Sequence, residues 1–596
     1  MRLHALAAAT FVLSLLACSP PPAPQPAAPA ATVPAAAVVP AAAVGPDWNG
    51  FVDRYIESHL AAHPAQAVTQ GRHEFDGVLP DWSRTGIVAE VARLRAMRTE
   101  AMSFDAAVLS DVQRYQRDYL LTRTDAMLFW LNTYRAPFRN PAFYFDWMAD
   151  SLDPAPYVTL TYAPPAQRLR SVTRYLSNIP AATVQIRDNL GSAPLPPTFI
   201  EYGINAFGGL ADFYRNELPK AFAEVDDATL LAEFAAAREP AAVAMDGLRN
   251  WLTAERANAS GDFAMGAEQF RQMLFTTEGV DIDLAELKAA GRADLDRNLA
   301  ALKTACDSYA SGKSLQACVA QMNENKPVAG SVQAARDQIV ELKAFVVQKD
   351  LVSIPSDDVA LVSESPSYAR WNFAYINIPG PFEIGQPAVY YISPPDPTWP
   401  EAAQKAYVPG AANLLFTSAH EIWPGHFLNF LHAKKSDFKF GRLFVGYAYA
   451  EGWAHYTEEM MWDAGLGEGS PEVHIGQLSN ALLRNARFLA AIGLHTEGMT
   501  LEQAQTLFIE GALQDEGTAR KQAARGTFDP AYLNYTMGKL MIMQLRDDWT
   551  RERGGREGWK AFHDAFLSYG GPPIPLVRAQ MLGGAVETKL WKAAVK

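Results

Sequence analysis

The sequence predicts a mainly α-helical protein carrying one small β-sheet. From Trp48 to about Phe345, apolar residues recur at three- and four-residue spacing between Pro and Gly punctuation, as in Leu230–Ala237 and Ile282–Leu302. Asp350–Pro395 has a different character. There Tyr368, Trp371, Phe373, Tyr375 and Ile376 precede a Pro/Gly cluster, and the compact β-type run Ala388–Ile392 is stopped by Pro394-Pro395. Helical periodicity returns after Pro409-Gly410 and includes a helix opened by the capping signal Thr500-Leu501-Glu502-Gln503.

In chain order, residues 1–18 read as an export signal. Arg2 supplies the positive start, and the apolar run Ala5–Ala17 is shorter than the roughly 20 residues a membrane span requires. Leu15-Leu16-Ala17-Cys18 resembles a bacterial lipobox, in which the cysteine is lipidated and becomes the mature N-terminus. Ser19 after it favours the outer membrane by the same resemblance. Residues 19–46 are almost wholly Ala, Pro and Val, a semi-rigid tether. A helical N-terminal region, 47–349, and a metal-binding catalytic region, 350–596, follow. The expected location is the periplasmic face of a membrane, held by the lipid. With 49% hydrophobic residues the body has enough apolar content to fold, and a net charge of -13 argues against nucleic acid as a partner. Besides Cys18 only Cys306 and Cys318 occur, and a bridge or two separate buried thiols fit equally. Without paired cysteines, any zinc must be held by nitrogen and oxygen.

The chemistry concentrates in His420-Glu421-Ile-Trp-Pro424-Gly425-His426. Two histidines four residues apart on a helix face one metal, with the adjacent glutamate placed as general base. Here the second histidine comes at six, a rotation of about 240° that would point the imidazoles apart. Pro424 lacks an amide hydrogen and its ring clashes with the His420 carbonyl, while Gly425 widens the accessible backbone conformations. The helix is therefore expected to bulge or break there, returning His426 to the metal side. A third ligand is sought in Glu451-Gly452-Trp453-Ala454-His455-Tyr456-Thr457-Glu458, where Glu451, His455 and Glu458 share one helical face. Glu451 is the expected ligand. Glu458, with His455 beside it, is expected to support a ligand imidazole through a hydrogen bond.

These motifs, with Arg484-x-x-Arg487, Gly493-Leu494-His495 and Tyr535-x-x-Gly538-Lys539, resemble a large bacterial family of unknown function with zincin-like, mostly helical structures. The resemblance covers roughly the last 250 residues. It implies a gluzincin-like metallopeptidase binding one zinc ion, distantly similar to thimet-type oligopeptidases and carboxypeptidase Taq. Phe427 stands where many relatives have another histidine, which leaves His426 as the natural ligand, and Ala491 stands where an aspartate is common. In the expected mechanism Glu421 moves the water proton to the leaving amine of a peptide, and Tyr535 or His495 stabilises the oxyanion. Ala388–Ile392 is a candidate edge strand for substrate backbone, and Arg484, Arg487 and Arg525 either hold a substrate carboxylate or form surface salt bridges. The same apparatus suits a non-peptide amide or ester, and a non-catalytic metal-binding lipoprotein is the other alternative.

Overall fold

Long amphipathic helices build most of the chain, as the apolar spacing predicts. The computed structural model describes residues 47–145, 151–259, 261, 263–370 and 373–587. The export signal, Cys18 and the tether lie outside these. The expected helix over Leu230–Ala237 belongs to Ala228–Glu255, and the capping signal at Thr500 is realised as a reciprocal capping box with Gln503. No helix among the described residues is long and apolar enough to cross a membrane.

The helices that position the site are α1 (Asp111–Leu128), α2 (Ala267–Glu278), α3 (Leu284–Tyr309), α4 (Ala411–Glu421), α5 (His426–Ala433), α6 (Tyr447–Asp463), α7 (Pro471–Thr496) and α8 (Asn534–Thr550). From Trp48 onward the chain forms one compact unit. Its largest core mixes both halves, with Phe129, Leu295 and Leu302 clustered with Phe416, Trp453 and Phe488. Glycines let α6 and α8 approach closely: a methyl group on Gly538 would lie 2.1 Å from the Ala448 carbonyl oxygen and 2.7 Å from Gly452 Cα. Beside this contact the fully buried Lys539 ammonium donates to Asp294 at 2.8 Å and to Glu459 at 3.3 Å. Asn485 on α7 donates to the same Asp294 oxygen at 2.8 Å. One buried network thus ties α3, α6, α7 and α8. Removing a partner would strand a charge out of water, typically a loss of about 3–5 kcal/mol.

The sheet forms within Asp350–Pro395 as expected. Its strands are β1 (Ala360–Glu364), β2 (Ala374–Asn377) and β3 (Ala388–Ile392), in the order β1-β3-β2, with β1 parallel and β2 antiparallel to β3. Ala388–Ile392 is therefore the central strand, buried at every residue, and not the candidate edge strand for substrate backbone. A continuous apolar run suits a strand covered on both faces. The edge falls to β2. Cys306 and Cys318 are joined by a disulfide that links α3 to the next helix, Leu315–Glu324.

Candidate functional site

α4 ends at Glu421, and a new helix starts at His426, so the Pro-Gly segment breaks the helix outright. The Trp423–Pro424 peptide is cis, and the Pro424 carbonyl accepts a hydrogen bond from the Trp453 indole at 2.8 Å. Gly425 is required by space: a methyl group there would lie 1.8 Å from the His420 carbonyl oxygen. Its φ is -74°, so the need is close backbone approach and not a left-handed conformation. The break delivers the result that the spacing demanded. The rings of His420 and His426 stand 4.8 Å apart and nearly perpendicular.

Both imidazoles converge on Glu451 of α6. Its Oε2 lies 3.3 Å from His420 Nε2 and 3.1 Å from His426 Nε2, and one ligand atom from each residue falls within 4.8 Å of the others. On the far side of the ring, His420 Nδ1 is 2.7 Å from Glu458 Oε1, the contact expected of Glu458. A neutral His420 donating from Nδ1 turns its Nε2 lone pair toward a carboxylate oxygen. Two acceptors then face one another at 3.3 Å, an arrangement that calls for a cation between them. In the metal-free protein a proton fills that role. Burial opposes a charged His420, yet Glu451 and Glu458 raise its pKa to about 9. Burial likewise opposes an ionised Glu451, but the two imidazoles hold its carboxyl well below the usual carboxylate range. Two imidazole nitrogens and one carboxylate oxygen fit zinc, leaving a coordination position open.

Glu421 is buried beside this cluster, and burial pushes its carboxyl up. Tyr535 reaches it from α8, its ring parallel to that of His420 at 5.9 Å, with the Arg487 and Arg525 guanidiniums 4.7 and 5.8 Å from the ring centre. Burial and the Glu451 charge push the phenol up to about 12, so it stays protonated and able to donate. His495 is not brought here. Its Nε2 donates to the Gly526 carbonyl at 2.7 Å, and its ring lies against Phe263 and Phe270. His455 lies beside Glu458, at 3.4 Å, and burial lowers its pKa to about 4.

None of the three arginines is a surface salt bridge. Arg484 is buried, 3.2 Å from Glu458 and bonded to Asn480; Arg487 donates to Gln522; Arg525 pairs with Asp529 at 2.9 Å. The sequence reading missed Arg484 as the counter-ion of Glu458, although α7 carries it in an otherwise apolar stretch. It also missed Arg123, Glu278 and Tyr447, which line the same cavity from distant positions with no local motif to mark them. That cavity, of about 1030 Å³, contains His420, Glu421, His426, Glu451 and Tyr535. Trp130, Tyr134, Phe143, Phe444 and Phe528 supply aromatic surface along it. A space of this size is at the upper end of small-molecule sites.

A helical body with a His-His-Glu cluster in the wall of a large cavity defines the class of protein, and comparison places it in a family. Residues 64–581 match the bacterial proteins of unknown function designated DUF885, and the chain belongs to that family. A candidate lipoprotein of unknown function from Shewanella oneidensis has a similar structure, with a TM-score of 0.71 at 24% identity over 90% of this chain and 100% of that one. A candidate lipoprotein from Colwellia psychrerythraea gives 0.73 at 15% identity, over 90% and 98%. These likenesses show a shared fold. No curated protein matches the chain.

Proposed function

We propose that the protein is a zinc-dependent hydrolase, a metallopeptidase that cleaves short peptides in the cell envelope. The observation that carries this reading is the convergence of His420, His426 and Glu451 next to buried Glu421, inside a cavity large enough for a peptide segment. His420, His426 and Glu451 would hold the zinc ion, which would supply a Lewis acid for the scissile carbonyl and the attacking water. Glu421 accepts the proton of the attacking water and passes it to the leaving amine; its raised pKa suits both halves of that transfer. Tyr535 donates a hydrogen bond to the oxyanion. Glu458, itself held by Arg484, keeps the His420 proton on Nδ1.

Peptide backbone has a natural partner in β2. The Ser393 amide donates to the Phe373 carbonyl, so Tyr375 and Asn377 also pair with β3, and Ile376 between them turns its N–H and C=O away from the sheet. Ile376 lines the cavity and β2 has no second neighbour among the described strands. A substrate strand added there gains main-chain hydrogen bonds without demanding a particular sequence.

The lipobox pattern at Cys18, the Cys306–Cys318 disulfide and the two candidate lipoproteins of similar structure support a chain exported to an oxidising compartment and held to a membrane by lipid. For the enzyme itself, purified protein is expected to hold about one zinc per chain. Glu421→Gln is expected to keep the zinc and lose roughly 10²–10⁴-fold in peptide cleavage, followed by mass spectrometry. Parental cleavage rates in that variant would refute the assignment, and loss of zinc would make Glu421 a ligand. Cleavage of amide or ester libraries in preference to peptides would redirect the substrate class.

A further inference from the structure

Arg123 on α1 and Glu278 at the end of α2 lie in the wall of the same cavity. Arg123 is only 7% exposed, its Nε has no hydrogen-bond partner, and it forms no ion pair among the described residues. Glu278 is buried more deeply still, at 1% exposed. Its Oε1 accepts from Asn534 at 3.1 Å, while Oε2 has no partner. The two heads meet over Gly446, the residue that opens α6: a methyl group built on it would lie 3.8 Å from Arg123 Nη1 and 3.9 Å from Glu278 Oε2. A guanidinium removed from water without a counter-ion is strongly unfavourable, so this arrangement calls for an anion from outside.

Glu278 does not itself meet that need. Burial pushes its carboxyl up to about 7 against the pull of Arg123, so at neutral pH it carries only part of a charge. Arg93, Lys434 and Arg442 also line the cavity, and of these Arg93 is paired with Glu90. The start of α6 adds the positive end of its dipole. What fits between Arg123 and Glu278 Oε2 is a group with a carboxylate on one side and an N–H donor on the other. The last residue of a peptide has both.

Gly446 precedes the ligand Glu451 by five residues (451 − 446). That is about 7.5 Å along a helix axis, whereas an extended chain advances about 3.3 Å per residue. A terminus held at Gly446 thus lies roughly two residues from the histidine cluster.

On the peptidase reading above, we propose that Arg123 binds the C-terminal carboxylate of a short peptide and Glu278 accepts its last backbone N–H. The peptide bond roughly two residues in from the C-terminus, and not the last one, is thereby presented to Glu421. The test is calorimetric binding to the zinc-loaded Glu421→Gln protein, which does not turn over. The probes are two N-acetylated alanine pentapeptides, one ending in a free acid and one in an amide. The acid is expected to bind roughly 10–100-fold more tightly, as charge-assisted hydrogen bonds imply. Arg123→Gln is expected to abolish that ratio and Arg123→Lys to retain part of it. Equal binding of acid and amide overturns the proposal. So does a ratio that survives intact in Arg123→Gln, which would assign the carboxylate to the zinc or another cation. If Arg123→Gln does not fold, an unreduced ratio in Arg123→Lys overturns it equally. Failure of the hydrolase reading shows separately, as no cleavage of either peptide by the parent protein, while the binding comparison still decides this site.

Discussion

Glu458→Gln probes how the chain orients its first histidine. The Glu458 side chain is fully buried, 2.7 Å from His420 Nδ1, 3.2 Å from Arg484 Nη2 and 3.4 Å from His455 Nδ1. Burial opposes its ionisation, yet Arg484 and the neighbouring imidazoles hold its carboxyl far below the usual range. Glutamine keeps the size and one acceptor oxygen for His420. It removes the charge that strengthens the imidazole as a ligand, and it leaves the Arg484 guanidinium without its counter-ion. Loss of such a supporting carboxylate typically weakens metal binding by about 10–100-fold, or about 1.4–2.7 kcal/mol. Breaking the buried Arg484 pair typically costs about 3–5 kcal/mol of folding stability, with or without zinc. Zinc affinity is read by competition with a chelator of known strength, and stability by denaturant unfolding of metal-free and zinc-loaded protein. The two measurements constrain each other, because zinc stabilises the fold in proportion to the logarithm of its affinity. The zinc-dependent part of the stability should fall by the same 1.4–2.7 kcal/mol, roughly, that competition reports. A dissociation constant within about twofold of the parent's would refute the orientation argument, since no effect of the kind expected would remain.

Two further predictions address other parts of the molecule. His73 joins the helical N-terminal region to the loop before β3, with Nδ1 3.0 Å from Asp76 and Nε2 2.7 Å from Glu383. Burial opposes its charge, but these two carboxylates raise its pKa from 6.5 to about 9. Because the folded value is the higher, the stabilisation is complete below about pH 6.5 and is lost as pH rises through about 9. The stability gap between parent and His73→Gln should therefore narrow from pH 6.5 to pH 9.5, and a gap that stays constant in denaturant unfolding would contradict the ion-pair account. Cys18→Ala should release the protein from the membrane fraction, because the tether after it contains nothing apolar and long enough to hold it. Persistent membrane association on fractionation would reject the lipid anchor.

Much of the candidate site's geometry was legible in one dimension because it rests on local rules. Residue type and spacing single out His420, Glu421 and His426, and Pro424-Gly425 announces that the helix between them must be interrupted. The i, i+4, i+7 rule puts Glu451 and Glu458 on one face of α6, and alternation of helical and β-type segments locates the sheet within Asp350–Pro395. Local periodicity specifies which face of an element is apolar, but not which element will cover it. Only the tertiary structure decided that Ala388–Ile392 lies between two strands, leaving β2 at the edge of the described sheet. The fold likewise turned His495 toward Gly526, away from the cavity, and buried Arg484 against Glu458. It brought Cys306 to Cys318, and it set Arg123 and Glu278 over Gly446 from positions more than a hundred residues apart in sequence. The sign and strength of a charged group depend on the partners and water around it. Those are set where distant helices meet, and no window of sequence contains them.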